Sequence, residues 1–508
     1  MSRASWEQKA AARRKDLAAS IPDEWKVTFP SPKVLPDVSQ HASIRTLLTP
    51  EEISITELNT GDLIRQLQTA KLSSLVVVIA FCKRATLAHQ ALNCATELLF
   101  DEALRTAKDH DEYLKTTGKT KGPLHGLPIS VKDVFDLKGH LNSSGFVYRV
   151  EEIVQNDALI VAIMKEAGAI PFIKTNVSQG CLLVESTNNI YGTVMNPWNR
   201  NLSAGGSSGG EGAIVAFRGS PMGLGTDGGG SLRLPASWNG VYTLKPTSAR
   251  IPGFGRGSGY SDSGAAGYGP ITNDLDSIAL FCETVLASQP WLKTPRVIPM
   301  PWDPAVKAPT KIKLGLLLDD GIVHLSPPVL RCLKESAEIL RAAGHEVIEL
   351  GPEWAELHRR GAEIVFRIYT QEGGIGIRES LEKSGEPLVP RVCTGWSEEP
   401  LSPMGIWLNH RARWALRTQY LEAFQALGLD AIISAPMPHP APPHGEYITS
   451  AISAMYNCLD WPCTTIPHGR VDLVKDQAPK KWYEEEPYPP IPNFPYDRYD
   501  KDMKSLCM

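Results

Sequence analysis

The sequence predicts an α/β fold: a large mixed β-sheet core covered by helices on both faces, preceded by an N-terminal helical arm. Three observations carry this. Short apolar runs at 129–135 and 169–174 flank a stretch of helical periodicity at 157–167, the pattern of strands joined by helices. Residues 312–318, 328–343 and 345–350 read as a complete strand–helix–strand unit closed at Gly344. Glycine- and proline-rich clusters punctuate the chain between these elements. The organisation expected is a helical arm at 1–72, a main domain at 73–470 and an irregular tail at 471–508.

Within the arm, Ser5-Trp6-Glu7 opens a helix that Ile21-Pro22-Asp23 ends, and 56–68 form a second. Ser73-Ser74 caps a third through Leu75, Val78, Ile79 and Cys82, which share one face, although the valine run suits a strand equally. Residues 97–115 read as a helix with Leu98, Leu99, Ala103, Leu104 and Ala107 inward. The turn chemistry of 122–128 leads into the strand at 129–135, and the helix at 157–167 stops at Gly168 before the strand at 169–174. Further on, 275–287 form a helix and the proline-rich 289–309 a crossing connection. Helices at 354–371 and 408–427, a buried strand at 430–434 and a proline-rich loop at 435–444 follow. After Pro467 no periodicity remains, so this stretch is expected on the surface or disordered.

Bulk properties narrow the function. The chain has 508 residues, 42% hydrophobic and 21% charged, with net charge −4, which gives no footprint for nucleic acid. Nine cysteines without regular spacing suit reduced thiols rather than a disulfide scaffold. The first twenty residues are charged throughout and lack the apolar core of a signal peptide. The apolar run at 75–81 is too short to span a bilayer. A soluble, cytoplasmic protein without a membrane partner is the expectation. His439, His444, Cys458 and Cys463 have no further ligands at suitable spacing, so neither metal nor cofactor is expected.

The chemistry is concentrated between Leu202 and Thr247. Two serine-bearing glycine clusters stand there, Gly205-Gly206-Ser207-Ser208-Gly209-Gly210 and Gly228-Gly229-Gly230-Ser231. Glycine lets main-chain N–H groups approach a ligand closely, and neither cluster has the order of a phosphate loop. Ser208 with Glu211 fits an S-x-x-E capping box, predicting a helix from there to Phe217 and placing Ser207 at its N-terminus. A strand at 222–225 then delivers Thr226-Asp227 to the second cluster. The amides of Gly228, Gly229, Gly230 and Ser231 could converge on one oxygen as an oxyanion hole. A serine nucleophile needs a base. Lys132, at an apolar strand end, would be partly neutral if burial lowers its pKa; on its own it could equally be a solvated lysine paired to Asp133. Asp227 and Arg233 suggest a structural pair, and Ser208 could be no more than a helix cap.

These loops, with Lys132, resemble the amidase signature family. Gly225-Thr226-Asp227, Leu244-Lys245-Pro246-Thr247, Gly269-Pro270-Ile271, Lys174-Thr175-Asn176, Asn188-Asn189 and Asn196-Pro197-Trp198-Asn199 match its pattern. Ile21-Pro22-Asp23-Glu24-Trp25 and 297–302 resemble its fungal acetamidase-like branch. The resemblance implies an amidase cleaving a carboxylic amide to carboxylate and ammonia through a Ser-Ser-Lys triad. Ser231 would be the acylated nucleophile, Ser207 the bridging serine, held by a cis peptide to Ser208, and Lys132 the base. Asp227 and Arg233 would support the loop, and Ser208 would help orient the lysine. The reactants would be a small amide and water; a homodimer stands as an open expectation. Two positions depart from the family pattern: Gly228 stands where a larger residue is usual, and Thr243 where a glycine is common. Family members usually end in a strand with Pro-Val-x-x-Gln and a closing helix, whereas here 487–492 read Pro-Tyr-Pro-Pro-Ile-Pro. That motivates a competing expectation, a non-catalytic or impaired protein that keeps the fold. Amide transfer with a partner subunit is a third.

Overall fold

The computed structural model describes residues 5–253, 264–392, 399–447, 450–477 and 488. The strands are β1 (Ala95–Leu98), β2 (Pro128–Lys132), β3 (Ile170–Thr175), β4 (Thr187–Asn188), β5 (Gly192–Thr193) and β6 (Met222–Asp227). They continue with β7 (Tyr242–Lys245), β8 (Gly267–Thr272), β9 (Lys313–Leu316), β10 (Glu346–Glu349), β11 (Ala431–Ile433) and β12 (Cys463–Thr465). Seven form the central sheet in the order β1-β3-β2-β6-β8-β7-β12. Strand β2 runs parallel to β3 and β6, while the other pairs are antiparallel. The sheet is therefore mixed and the fold α/β, as the alternation of elements predicts. A separate three-stranded parallel sheet, β10-β9-β11, joins the strand–helix–strand unit near residue 330 to the later strand β11. That strand is not buried as expected: Ala431 is exposed and Ile432 and Ile433 are only partly buried.

Local signals explain several elements directly. Ser5 and Gln8 form a capping box on the helix Trp6–Ala19. Ser73 accepts from the Val76 amide at 3.2 Å and starts the helix Ser74–Leu92, so the valine run is helical. That helix is apolar and long enough to cross a membrane, but two thirds of it is buried inside the fold. Val77, Val78 and Phe81 are fully buried there. They share one core with Val38 from the N-terminal connection, Ile44 and Leu63 from the N-terminal helices, and Phe172 and Ile271 from the sheet.

Other expectations are corrected. The helix expected at 56–68 is two, Pro50–Glu57 and Thr60–Gln68, because Asn59 caps a fresh start by accepting from the Asp62 amide. The helix expected from Glu97 begins at Phe100, since Glu97 and Leu98 pair in β1 with Lys174 and Ile173 of β3; tertiary pairing overrides the local periodicity. The strand at 129–135 ends at Lys132, after which the Val134 and Phe135 amides turn back to the Lys132 carbonyl. The sheet edge beside β7 is not bare: β12 pairs along it, Cys463 opposite Lys245. Of the tail, only residues up to 477 and residue 488 are described, so most of that expectation lies outside the described residues.

For function, one adjacency matters most. Strands β2 and β6 are parallel neighbours, with Val131 opposite Leu224. Their carboxyl ends therefore lie side by side, bringing Lys132 to Thr226.

Candidate active site

Lys132 ends β2 with no exposed surface. Its Nζ lies 2.8 Å from Ser207 Oγ and 2.7 Å from Thr226 Oγ1. Successive strand residues face opposite ways, which is why neighbouring Asp133 turns elsewhere and pairs with Lys174 at 2.9 Å. Burial lowers the Lys132 pKa from the ordinary lysine value, against the opposing pull of Cys181, Asp227 and Glu211. The site thus holds a buried lysine whose charged form is disfavoured by desolvation, hydrogen-bonded to a buried serine.

Ser207 sits in the first glycine loop, held from beneath by Ser186, whose hydroxyl donates to the Ser207 carbonyl and accepts from the Gly209 amide. The cis peptide falls between Gly206 and Ser207, not between Ser207 and Ser208 as the resemblance implied. The expected capping box is also absent. The helix is Gly209–Ala216, but Ser208 makes no side-chain cap; its hydroxyl lies 3.2 Å from the Thr226 carbonyl and 3.4 Å from the Thr226 amide. Ser208 does not touch the lysine; it holds Thr226, which does.

Glu211 turns away from the helix end. Its carboxylate accepts from Ser130 Oγ on β2 and, at 2.7 Å, from Thr175 Oγ1 on β3, filling space left open by the absent side chain of Gly223. Burial pushes its pKa up to about 7, although Ser130, Thr175 and the Lys132 charge pull the other way. The carboxylate ties the helix carrying the serine loop to the strand carrying the lysine.

In the second loop, Asp227 and Arg233 form a buried two-pronged pair, Nε to Oδ2 and Nη2 to Oδ1, each 2.8 Å. Burial alone would raise the Asp227 pKa, but the Arg233 charge and hydrogen bonds dominate and hold it well below the usual carboxylate range. Asn457 braces both, accepting from Arg233 at 2.6 Å and donating to Asp227. Asp227 also accepts from the amides of Gly230 at 2.7 Å and Leu232 at 3.2 Å. The Gly230 amide is therefore spent on the loop and leaves the expected oxyanion set. Among the described residues, the amides of Gly228, Gly229 and Ser231 donate no hydrogen bond. The Gly228 carbonyl accepts from the Tyr369 hydroxyl.

The two loops meet where the Ser208 amide donates to the Ser231 carbonyl at 3.2 Å. Ser231 is half-buried, and its hydroxyl makes no hydrogen bond to Ser207. Catalytic hydrogen bonds in a ligand-free site are commonly long and tighten on substrate binding. Sequence reasoning missed Thr226, Ser186, Tyr369 and Asn457 as site residues and misassigned Glu211; only Thr226 carried a signal, its place beside Asp227.

An amidase family model matches residues 76–495. The chain belongs to the amidase family. It is 36% identical to an acetamidase of Emericella nidulans over 481 residues, 91% of this chain and 87% of the relative. An acetamidase of Aspergillus oryzae is 33% identical over 520 residues, covering 99% and 94%. Among solved structures, a fatty acid amide hydrolase superposes with TM-score 0.86 at 33% identity, covering 90% of this chain and 82% of that one. The chain is thus an amidase signature enzyme, an amide hydrolase, and the fungal acetamidase resemblance holds.

Proposed function

We propose that this amidase cleaves a small aliphatic carboxylic amide to carboxylate and ammonia through an acyl-enzyme on Ser231. The single observation that carries the mechanism is the fully buried Lys132 Nζ, 2.8 Å from Ser207 Oγ, on the loop that bonds to Ser231. Ser231 Oγ attacks the amide carbon, its proton passing to Ser207 Oγ as the Ser207 proton passes to Lys132 Nζ. The tetrahedral oxyanion accepts hydrogen bonds from the loop amides still unspent, those of Gly229 and Ser231 with Gly228 beside them. The proton returns through Ser207 to the leaving nitrogen and ammonia departs. Water then enters by the same relay and releases the acid. Lys132 must be neutral at the outset, and its desolvation favours that form.

The acyl preference follows the acetamidase relatives and is the part most open to test. A hydrolysis screen over amides of rising chain length should peak at acetamide and propionamide; a peak at long acyl chains would overturn that assignment. Added hydroxylamine should divert the acyl group to a hydroxamate, and its absence during turnover would remove the acyl-enzyme.

A further inference from the structure

The peptide between Gly228 and Gly229 has no side chain on either side to fix its plane. Turning it over would exchange the directions of the Gly228 carbonyl and the Gly229 N–H, because the two point to opposite sides of a trans peptide. Between two glycines such a turn meets little steric resistance. In the observed orientation, Tyr369, at the end of the helix Pro352–Thr370, donates its hydroxyl to the Gly228 carbonyl. The Tyr369 oxygen also lies 2.9 Å from where a β-carbon on Gly229 would stand.

We propose that Tyr369 is a positioning residue for the oxyanion hole: by holding the Gly228 carbonyl it aims the Gly229 N–H at the substrate oxygen. This rests on the acyl-enzyme assignment of Ser231. The Gly230 amide, held by Asp227, cannot compensate. The loop therefore depends on the Gly229 and Ser231 amides, and one of those is set by a residue 140 positions away.

The test begins with Tyr369→Phe, which keeps the ring and removes only the hydroxyl. One net hydrogen bond biases a two-state equilibrium by roughly two- to tenfold. Losing a whole oxyanion donor would cost about 10²–10³ in kcat, but losing a two- to tenfold bias lowers the correctly aimed population by no more than that factor. So kcat should fall about two- to tenfold with KM unchanged. Phosphonylation of Ser231 by a fluorophosphonate, whose P=O occupies the same hole, should slow by the same factor. The second variant is Tyr369→Phe with Gly229→Ala. Gly229 does not have a positive φ, so alanine fits the observed plane, and the turned-over plane would require a positive φ that alanine resists. With the hydroxyl gone, the nearest remaining ring atom is 3.4 Å from the new β-carbon, an ordinary contact. The double variant should regain kcat over Tyr369→Phe alone. Unchanged kcat in Tyr369→Phe overturns the inference. So does a loss carried by KM, or a loss of kcat that Gly229→Ala does not relieve. If the wild type itself is never phosphonylated at Ser231, the acyl-enzyme assignment fails first and this inference with it.

Discussion

Replacing Lys132 by methionine keeps a buried side chain of similar volume and removes the amine next to Ser207 and Thr226. At the ordinary lysine pKa of about 10.4, only about one lysine in a thousand would be neutral at pH 7.4. Burial lowers the Lys132 value, and each unit of lowering enlarges the neutral fraction about tenfold until the pKa meets the pH. Removing a positioned general base costs about 10²–10⁴ in rate, or roughly 3–5 kcal/mol of barrier. The sign is fixed by which form reacts. The wild-type log kcat/KM should rise one unit per pH unit and level off above the folded lysine pKa, and the methionine variant should lack this limb. Stability moves separately. The unfolded chain binds the lysine proton up to about pH 10.4 and the folded chain only to a lower pH, so wild-type stability is lost as pH falls through that window. Melting temperatures should therefore shift in favour of the variant as pH falls from about 10 toward the folded value. The assay is kcat/KM on the preferred amide from pH 6 to 10, with thermal melting alongside. A folded variant that keeps more than about a tenth of wild-type kcat/KM, or the same rising limb, would refute the assignment of the base.

Thr226→Val removes the second partner of Lys132 and leaves Ser207 in place. It should lower kcat about tenfold, the scale of one hydrogen bond, and displace the rising limb of the pH profile; a profile identical to wild type would show Thr226 to be inert. Glu211→Gln tests the buried carboxyl, whose pKa of about 7 exceeds its ordinary value. A raised carboxyl pKa means the folded state binds the proton more tightly, so wild-type stability is lost as pH rises from about 4.3 toward the folded value. The glutamine variant should gain melting temperature over wild type across that window, worth of order 3 kcal/mol at most, and keep the lysine limb; a pH-independent difference would contradict it. Asp227→Asn removes the charge that pairs with the buried Arg233 and turns one accepting oxygen into an NH2 donor facing it, which should cost about 3–5 kcal/mol and loosen the loop that Asp227 holds. The melting temperature and kcat should fall together, and wild-type melting would show that the pair is not holding the loop.

Much of the site is legible in the chain, for identifiable reasons. Two glycine clusters bearing Ser207 and Ser231, and a lysine closing an apolar strand, are local patterns that do not depend on knowing the fold. The Asp227–Arg233 pair, too, is six residues apart and borne by one turn. Thr226 was not legible as a lysine partner, because its hydroxyl reaches Lys132 only if β2 and β6 are neighbours, and the two residues are 94 apart in sequence. Glu211 misleads for the same reason: a local S-x-x-E pattern competes with hydroxyls supplied by β2 and β3, and the tertiary partners win. Glu97 and Leu98 likewise carry a helical spacing that pairing with β3 overrides. Asn457 and Tyr369 come from distant helices with no pattern linking them to the loop they brace.

Acylation of Ser231 through Ser207 and Lys132 is the step on which the proposed function rests. Its most direct test is a fluorophosphonate probe on the intact enzyme followed by peptide mapping of the adduct. A single adduct on Ser231 is expected, slowed strongly by Ser207→Ala and absent in Ser231→Ala. An adduct on any other residue, or undiminished labelling of Ser231→Ala, would contradict it.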